Sequence, residues 1–100
     1  MTGGTADFYI VTLRAFLKDG VERTAEIKKC LEKGDLPLYT IHVHTLKSSL
    51  KIIGADSLSQ TAYALENAGK NADKAYIDAN NDIFLMKLQK LLDNINNVLP

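Results

Sequence analysis

Several features that mark familiar functional classes are scarce or absent in this chain. Lys+Arg and Asp+Glu both total 12, so the formal net charge is zero when the histidines are neutral. Binding to nucleic acid or to an anionic membrane needs a basic excess or a basic stripe, so the charge balance argues against both partners. No apolar run approaches the roughly 18 residues that a membrane-spanning helix needs.

Cysteine is nearly absent as well, because Cys30 is the only one. An internal disulfide and a cysteine-based zinc site are therefore excluded, and a reducing compartment, the cytoplasm, is expected. The N-terminus, MTGGTADF, lacks the charged and apolar regions of a signal peptide. There is no GxxxxGK or GxGxxG phosphate loop, so we expect the chain not to bind and hydrolyse ATP by itself.

Apolar residues at helical spacing are abundant. They make up 46% of the 100 residues, which suits one compact domain over residues 1–100, with residues 1–4 as a flexible lead. No run alternates with period two, so the chain is predicted to be all-α. Turn signals at Asp19-Gly20, Gly34, Gly54 and 71–73 divide it into five helical segments, with Thr5, Asp35 and Asp56 as N-caps. The predicted segments are 6–18, 21–33, 36–53, 57–70 and 74–99.

Short connections between amphipathic helices favour antiparallel neighbours. The predicted architecture is therefore an up-down antiparallel four-helix bundle with the first segment as an additional N-terminal helix.

The third segment contains both histidines, and a helical wheel gives them different environments. His42 falls on the predicted buried stripe, where a neighbour is expected to satisfy it. His44 falls on the polar side, and Lys47, Ser48 and Lys51 follow it at three, four and seven residues, on the same face. The predicted buried stripe consists of Leu38, Ile41, Thr45, Ser49, Ile52 and Ile53, with Leu46 at its margin.

This arrangement suits a histidine that carries a phosphoryl group. Imidazole is largely neutral near pH 7 and therefore nucleophilic, and Lys47 and Lys51 could offset the charge of an attached phosphoryl group. A shared metal site with His42 is not expected, because residues two apart do not face each other on a helix. The alternative is a solvated surface histidine beside solubilising lysines.

Around His44 the chain resembles the histidine-containing phosphotransfer domain, whose pattern reads roughly His-x-Leu-Lys-Gly-Ser-x-x-x-Ile-Gly-Ala. The matching residues are His44-Thr45-Leu46-Lys47-Ser48-Ser49-Leu50-Lys51-Ile52-Ile53-Gly54-Ala55. Gly34-Asp35 before the helix and Leu65-Glu66 after it extend the resemblance. Ser48 departs from the pattern, since the family usually has glycine there, but its hydroxyl could donate to a phosphate oxygen.

The resemblance implies a phosphorelay intermediate, which is a phosphocarrier and not an enzyme, either free-standing or part of a larger hybrid sensor kinase. His44 would accept a phosphoryl group from a receiver-domain aspartate and pass it to another receiver aspartate, with Lys47 as its helper. The implied partners are response-regulator receiver domains and a sensor or hybrid histidine kinase. The receiver would supply Mg²⁺, so this chain is expected to need no cofactor or metal and to act as a monomer.

The predicted helix pairing and the helical wheel indicate two further roles. If the third and fourth segments pair antiparallel about Gly54-Ala55, Glu66 falls near His44 and could orient its ring, although a solvated glutamate is equally compatible with the pattern. Val43 and Leu50 flank the polar face and are candidates for docking a receiver, or for packing on the first helix.

Three other functions remain open from the sequence. The chain could be the kinase-phosphorylated module of a chemotaxis-type kinase, which differs in what phosphorylates His44. It could be the phosphoacceptor piece of an ordinary sensor kinase, but Thr45 stands where those proteins usually have an acidic residue. It could also be a helical interaction module in which His44 is dispensable.

Overall fold

The computed structural model describes residues 4–99, with side chains from Phe8 onward, and these residues form four α-helices. Connections of two or three residues join the helices, and α1 and α3 each pack against both α2 and α4. The predicted all-α, up-down bundle is therefore confirmed. None of these helices is long and apolar enough to cross a membrane. The helices are α1 Gly4–Lys33, α2 Leu36–Ile52, α3 Asp56–Lys70 and α4 Lys74–Val98.

The structure does not show the predicted separate N-terminal helix, because α1 continues through Asp19-Gly20. The Asp19 carboxylate pairs with Arg23 one turn later at 2.9 Å, which supports the helix at this point. Gly20 is buried, and a Cβ there would lie 2.8 Å from a methyl carbon of Leu92. The glycine therefore allows α1 to approach α4 closely and does not end the helix.

The ends of α1, α2 and α3 share one backbone conformation. A residue with positive φ lies one or two positions beyond the end of each helix, and φ is +72° at Gly34, +86° at Gly54 and +53° at Ala72. In each case the next amide donates to a carbonyl five residues earlier, as Asp35 does to Cys30 at 2.8 Å. This Schellman geometry satisfies the last carbonyls of the helix and reverses the chain within a few residues.

The first residues of the helices show that two of the three predicted N-caps are wrong. Asp35 caps α2 as predicted, since its carboxylate accepts from the Leu38 amide at 3.2 Å. Asp56 is instead the first residue of α3, where a negative charge still favours the helix dipole, and Ala55 takes the cap position without a side-chain bond. Thr5 lies inside α1 and does not precede it. Residues 1–3 of the predicted lead lie outside the described residues, and Gly4 already belongs to α1.

The buried face of α2 differs from the predicted stripe. The residues of α2 that are fully buried are Tyr39, Val43, Leu46 and Leu50, whereas three members of the predicted stripe, Leu38, Ile41 and Ile52, are exposed. The helix carries apolar residues on two faces, and its wheel alone does not say which face the other helices cover. The Tyr39 hydroxyl favours burial of the observed face, because it donates to the buried Asn81 Oδ1 of α4 at 2.8 Å.

Candidate functional site

The site lies where α2 and α3 pack closely against each other. At one end of this contact Gly69 lies so close to Thr40 that a Cβ on the glycine would overlap the threonine side chain. At the other end the buried Ser59 hydroxyl donates to the Lys47 carbonyl at 2.8 Å. Because small residues lie at both points, α2 and α3 approach closely enough for side chains of one helix to contact side chains of the other.

His44 and Glu66 meet across this contact. The imidazole Nδ1 of His44 lies 2.8 Å from Glu66 Oε2, within hydrogen-bond distance. The His44 side chain is 55% exposed, whereas that of Glu66 is only 3% exposed. One edge of the imidazole is thus fixed against a buried group, while the ring itself remains accessible to a partner.

Two lysines surround the same carboxylate. Lys47 Nζ lies 2.8 Å from Glu66 Oε1, and Lys70 Nζ lies 3.2 Å from Oε2. The Lys47 contact is an ion pair and not an aligned hydrogen bond, and among the described residues Lys47 is the only cation close to the fully buried Oε1. A buried carboxylate that lost these charges would be costly, because its desolvation would no longer be offset.

The charges around Glu66 set its ionisation. Burial by itself raises the pKa of this carboxyl group, but the contacts with Lys47, His44 and Lys70 outweigh burial. Together they lower the pKa from 4.5 to about 2. Glu66 is therefore a carboxylate at any pH near neutrality.

The ionised carboxylate determines the tautomer of His44. A carboxylate only accepts hydrogen bonds, so Nδ1 of His44 carries the proton and donates it toward Glu66. In the neutral ring the lone pair then resides on Nε2, on the accessible edge. This is the geometry of an oriented nucleophile, in which one ring nitrogen is held so that the other can attack.

His42 has the opposite arrangement. It is half-buried, and its Nδ1 lies 2.8 Å from Nη1 of Arg23, which also pairs with Asp19. Because a guanidinium can only donate, Nδ1 of His42 is the acceptor and its lone pair is occupied. The prediction that a neighbour satisfies His42 is confirmed, and the contact joins α1 to α2.

The remaining predicted polar residues line one side of the site. Lys47, Ser48 and Lys51 border a groove of ≈ 640 Å³ between α2 and α3, together with Tyr63. The Lys47 ammonium lies 5.1 Å from the centre of the Tyr63 ring, which is a cation–π distance. The Ser48 hydroxyl donates to the His44 carbonyl at 3.4 Å, so it points to its own helix.

The prediction that Val43 and Leu50 dock a receiver is wrong. Val43 and Leu50 are both fully buried in the bundle core, so neither can contact a partner. They lie on the flank of the polar face by the wheel, but that flank is the one that the other helices cover. The apolar residues of α2 with the largest exposed fractions are instead Ile41 and Ile52, with 59% and 74% of their surface accessible.

Sequence reasoning also missed Lys70 and Tyr63. Lys70 had a detectable signal, since it follows Glu66 by four residues on a predicted helix, and such pairs are neighbours on a helix surface. Tyr63 had none, because its position beside Lys47 depends on how α2 and α3 are registered.

A comparison with known protein families assigns the chain to a family. The family model of the Hpt domain matches residues 11–98. The chain belongs to the Hpt domain family. Hpt domains are phosphocarrier modules of two-component signalling and interact with receiver and kinase domains. No curated protein matches this Hpt domain, and no solved structure matches it either.

Proposed function

We propose that this Hpt domain is a phosphorelay intermediate that accepts a phosphoryl group on Nε2 of His44 from a receiver aspartate and passes it to another receiver aspartate. The observation that carries the proposal is the His44–Glu66 contact, which combines an accessible ring with a fixed tautomer. A cytoplasmic location and a monomeric state belong to the same proposal.

The transfer step follows from this geometry. The Nε2 lone pair of His44 attacks the phosphorus of the aspartyl phosphate, an N–P bond forms, and the bond from phosphorus to the aspartate oxygen breaks with a carboxylate as leaving group. The imidazole becomes positive because Nδ1 keeps its proton, and the Glu66 carboxylate at 2.8 Å stabilises that charge. The reverse step returns the phosphoryl group from a ring that is a good leaving group while it remains protonated.

The lysines contribute positive potential. Lys47 and Lys51 border the groove beside His44, where they favour the approach of an anionic phosphoryl group. The Ser48 hydroxyl would have to rotate away from the His44 carbonyl before it could donate to a phosphoryl oxygen. Mg²⁺ is proposed to be bound by the receiver, and this chain then supplies the nucleophile, its orientation and the charge.

Docking is assigned to the exposed apolar residues of α2. Ile41 precedes His44 by one helical turn and Ile52 follows it by about two turns, and both are largely exposed. Exposed aliphatic residues beside a polar reactive group are typical of an interaction surface. We therefore propose that Ile41 and Ile52 contact the receiver in place of Val43 and Leu50.

The experiment that tests the function is transfer from a radiolabelled phospho-receiver in the presence of Mg²⁺. We expect label on the wild type and on His42→Gln, whose amide oxygen can still accept from Arg23, and none on His44→Gln. Label on His44→Gln, or no label on the wild type with several receivers, would contradict the proposal. Direct labelling by a histidine kinase and ATP without any receiver would favour the kinase-phosphorylated module instead.

A further inference from the structure

Lys70 is a second cation on the orienting carboxylate. Its Nζ lies 3.2 Å from Glu66 Oε2, the same oxygen that lies 2.8 Å from Nδ1 of His44. A single oxygen atom therefore separates the Lys70 ammonium from the imidazole. The two lysines contact different oxygens of the carboxylate, Lys47 at Oε1 and Lys70 at Oε2.

The two lysines differ in how firmly they are held. Lys47 is 25% exposed and lies over the Tyr63 ring, and no other cation of the described part of the chain lies close to the buried Glu66 Oε1. Its departure would leave that oxygen without a partner, at a substantial desolvation cost. Lys70 is 60% exposed, and Oε2 would keep its hydrogen bond from His44 if Lys70 moved away. Lys70 is thus the cation that can leave Glu66 at little cost.

A phosphoryl group on His44 would attract the Lys70 ammonium. A phosphoryl group brings about −1.5 to −2 charges at neutral pH, along with oxygens that attract ammonium groups strongly. Lys51 is a weaker candidate, since it lies seven residues from His44, or about 10 Å along the helix axis. Lys70, by contrast, already lies beside the ring.

We propose that Lys70 changes partner when His44 is phosphorylated, moving from Glu66 Oε2 to the phosphoryl oxygens, and so stabilises the phosphorylated form. This inference rests on the proposed function, because it requires a phosphoryl group on His44. It assigns Lys47 to holding Glu66 in place and Lys70 to binding the phosphoryl group.

The test compares Lys70→Gln and Lys70→Arg with the control Lys74→Gln, which removes an exposed lysine of α4 that pairs with Asp78. Each protein is phosphorylated with phosphoramidate, and the ³¹P resonance of the phosphohistidine is titrated with pH. We expect a higher pH midpoint for Lys70→Gln, the wild-type midpoint for Lys74→Gln, and recovery in Lys70→Arg. In equilibrium with a phospho-receiver, Lys70→Gln should hold about three- to tenfold less phosphohistidine.

The outcomes separate this inference from the proposed function. If the wild type is phosphorylated on His44 but Lys70→Gln matches Lys74→Gln in both measurements, the role of Lys70 is wrong and the phosphorelay function stands. If neither phosphoramidate nor a receiver phosphorylates His44 in the wild type, both proposals fail. A Lys70→Arg protein that behaves like Lys70→Gln would also overturn the role, because arginine keeps the charge.

Discussion

At the residue scale, two histidines that are only two positions apart differ because of their partners. His44 donates to an ionised carboxylate, which leaves Nε2 available, whereas His42 accepts from a guanidinium, which occupies Nδ1. The backbone places both on α2, but the partners come from α3 and α1 respectively. Reactivity is therefore assigned by the neighbouring helices and not by the histidines themselves.

The substitution Glu66→Gln tests whether Glu66 determines the reactivity of His44. Glutamine keeps the size of the side chain but removes the charge that fixes the tautomer and stabilises the developing imidazolium. We expect transfer from a phospho-receiver to slow by roughly 10- to 100-fold, the range found for groups that orient a metal-binding histidine. Single-turnover kinetics measures the transfer rate, and the control is Glu26→Gln, which removes the charge of a half-exposed residue that pairs with Lys29. Equal rates for Glu66→Gln and the wild type would remove Glu66 from the mechanism.

The pH dependence of stability provides a second test of Glu66. Its folded-state pKa of about 2 lies below the ordinary value of 4.5, so its contribution is fully present above pH 4.5 and is lost as the pH falls toward 2. The free energy of unfolding, measured by urea titration between pH 6 and pH 2, should fall more steeply over that window in the wild type than in Glu66→Gln. Identical slopes would show that the carboxylate is not stabilised in the folded state.

At the element scale, the spacing of α2 and α3 brings His44 to Glu66. Gly69 fits against the β-branched side chain of Thr40, whose hydroxyl is itself bonded to the Leu36 carbonyl at 2.8 Å. Gly20 fits against the terminal methyl groups of Leu92, which can rotate away. The two glycines, both within helices, are therefore expected to differ in how well they tolerate an added methyl group.

Gly69→Ala and Gly20→Ala form a matched pair for this contact. Gly69→Ala should destabilise the fold by about 1–3 kcal/mol, because the added methyl overlaps Thr40. Gly20→Ala should be close to neutral, because a gain of about 1 kcal/mol in helix propensity offsets the displacement of Leu92. Urea unfolding measures both free energies. A Gly69→Ala protein as stable as Gly20→Ala would contradict the close packing of α2 on α3.

At the scale of the whole molecule, the bundle leaves one apolar face of α2 outside the core. The face with Tyr39, Val43 and Leu46 is buried, and the face with Ile41 and Ile52 is exposed beside His44. A helix that is apolar on two faces is stabilised by burying one of them, and the other is then available for a partner.

Substitution of the exposed face should affect transfer without affecting the fold. We expect Ile41→Glu to slow transfer from a receiver by about tenfold or more, because burial of a charge in an apolar contact is unfavourable. The melting temperature should change little, since Ile41 is already 59% exposed. Ile83→Glu, at a 49% exposed position on α4, is the control. Slowing by both variants equally would place the docking surface elsewhere.

The sequence predicts the helices and turns well because these depend on local signals. Apolar spacing, Asp35 as a cap and the glycines at positive φ are all encoded within a few residues. The Asp19-Gly20 break was wrong because the function of Gly20 depends on Leu92, which is distant in sequence. The core face of α2 was wrong for the same reason, since only the packing of the other helices distinguishes its two apolar faces. The proximity of Glu66 to His44 was predictable once α2 and α3 were paired antiparallel.

The position of the phosphoryl group on the imidazole tests the central claim most directly. The protein, with ¹⁵N-labelled histidine, is phosphorylated by a receiver, and ¹H–¹⁵N and ³¹P NMR identify the bonded nitrogen. The contact between His44 Nδ1 and Glu66 predicts that phosphorus is bound to Nε2 of His44, with Nδ1 still facing the carboxylate. Phosphorylation at Nδ1 of His44, or on His42, would contradict the account.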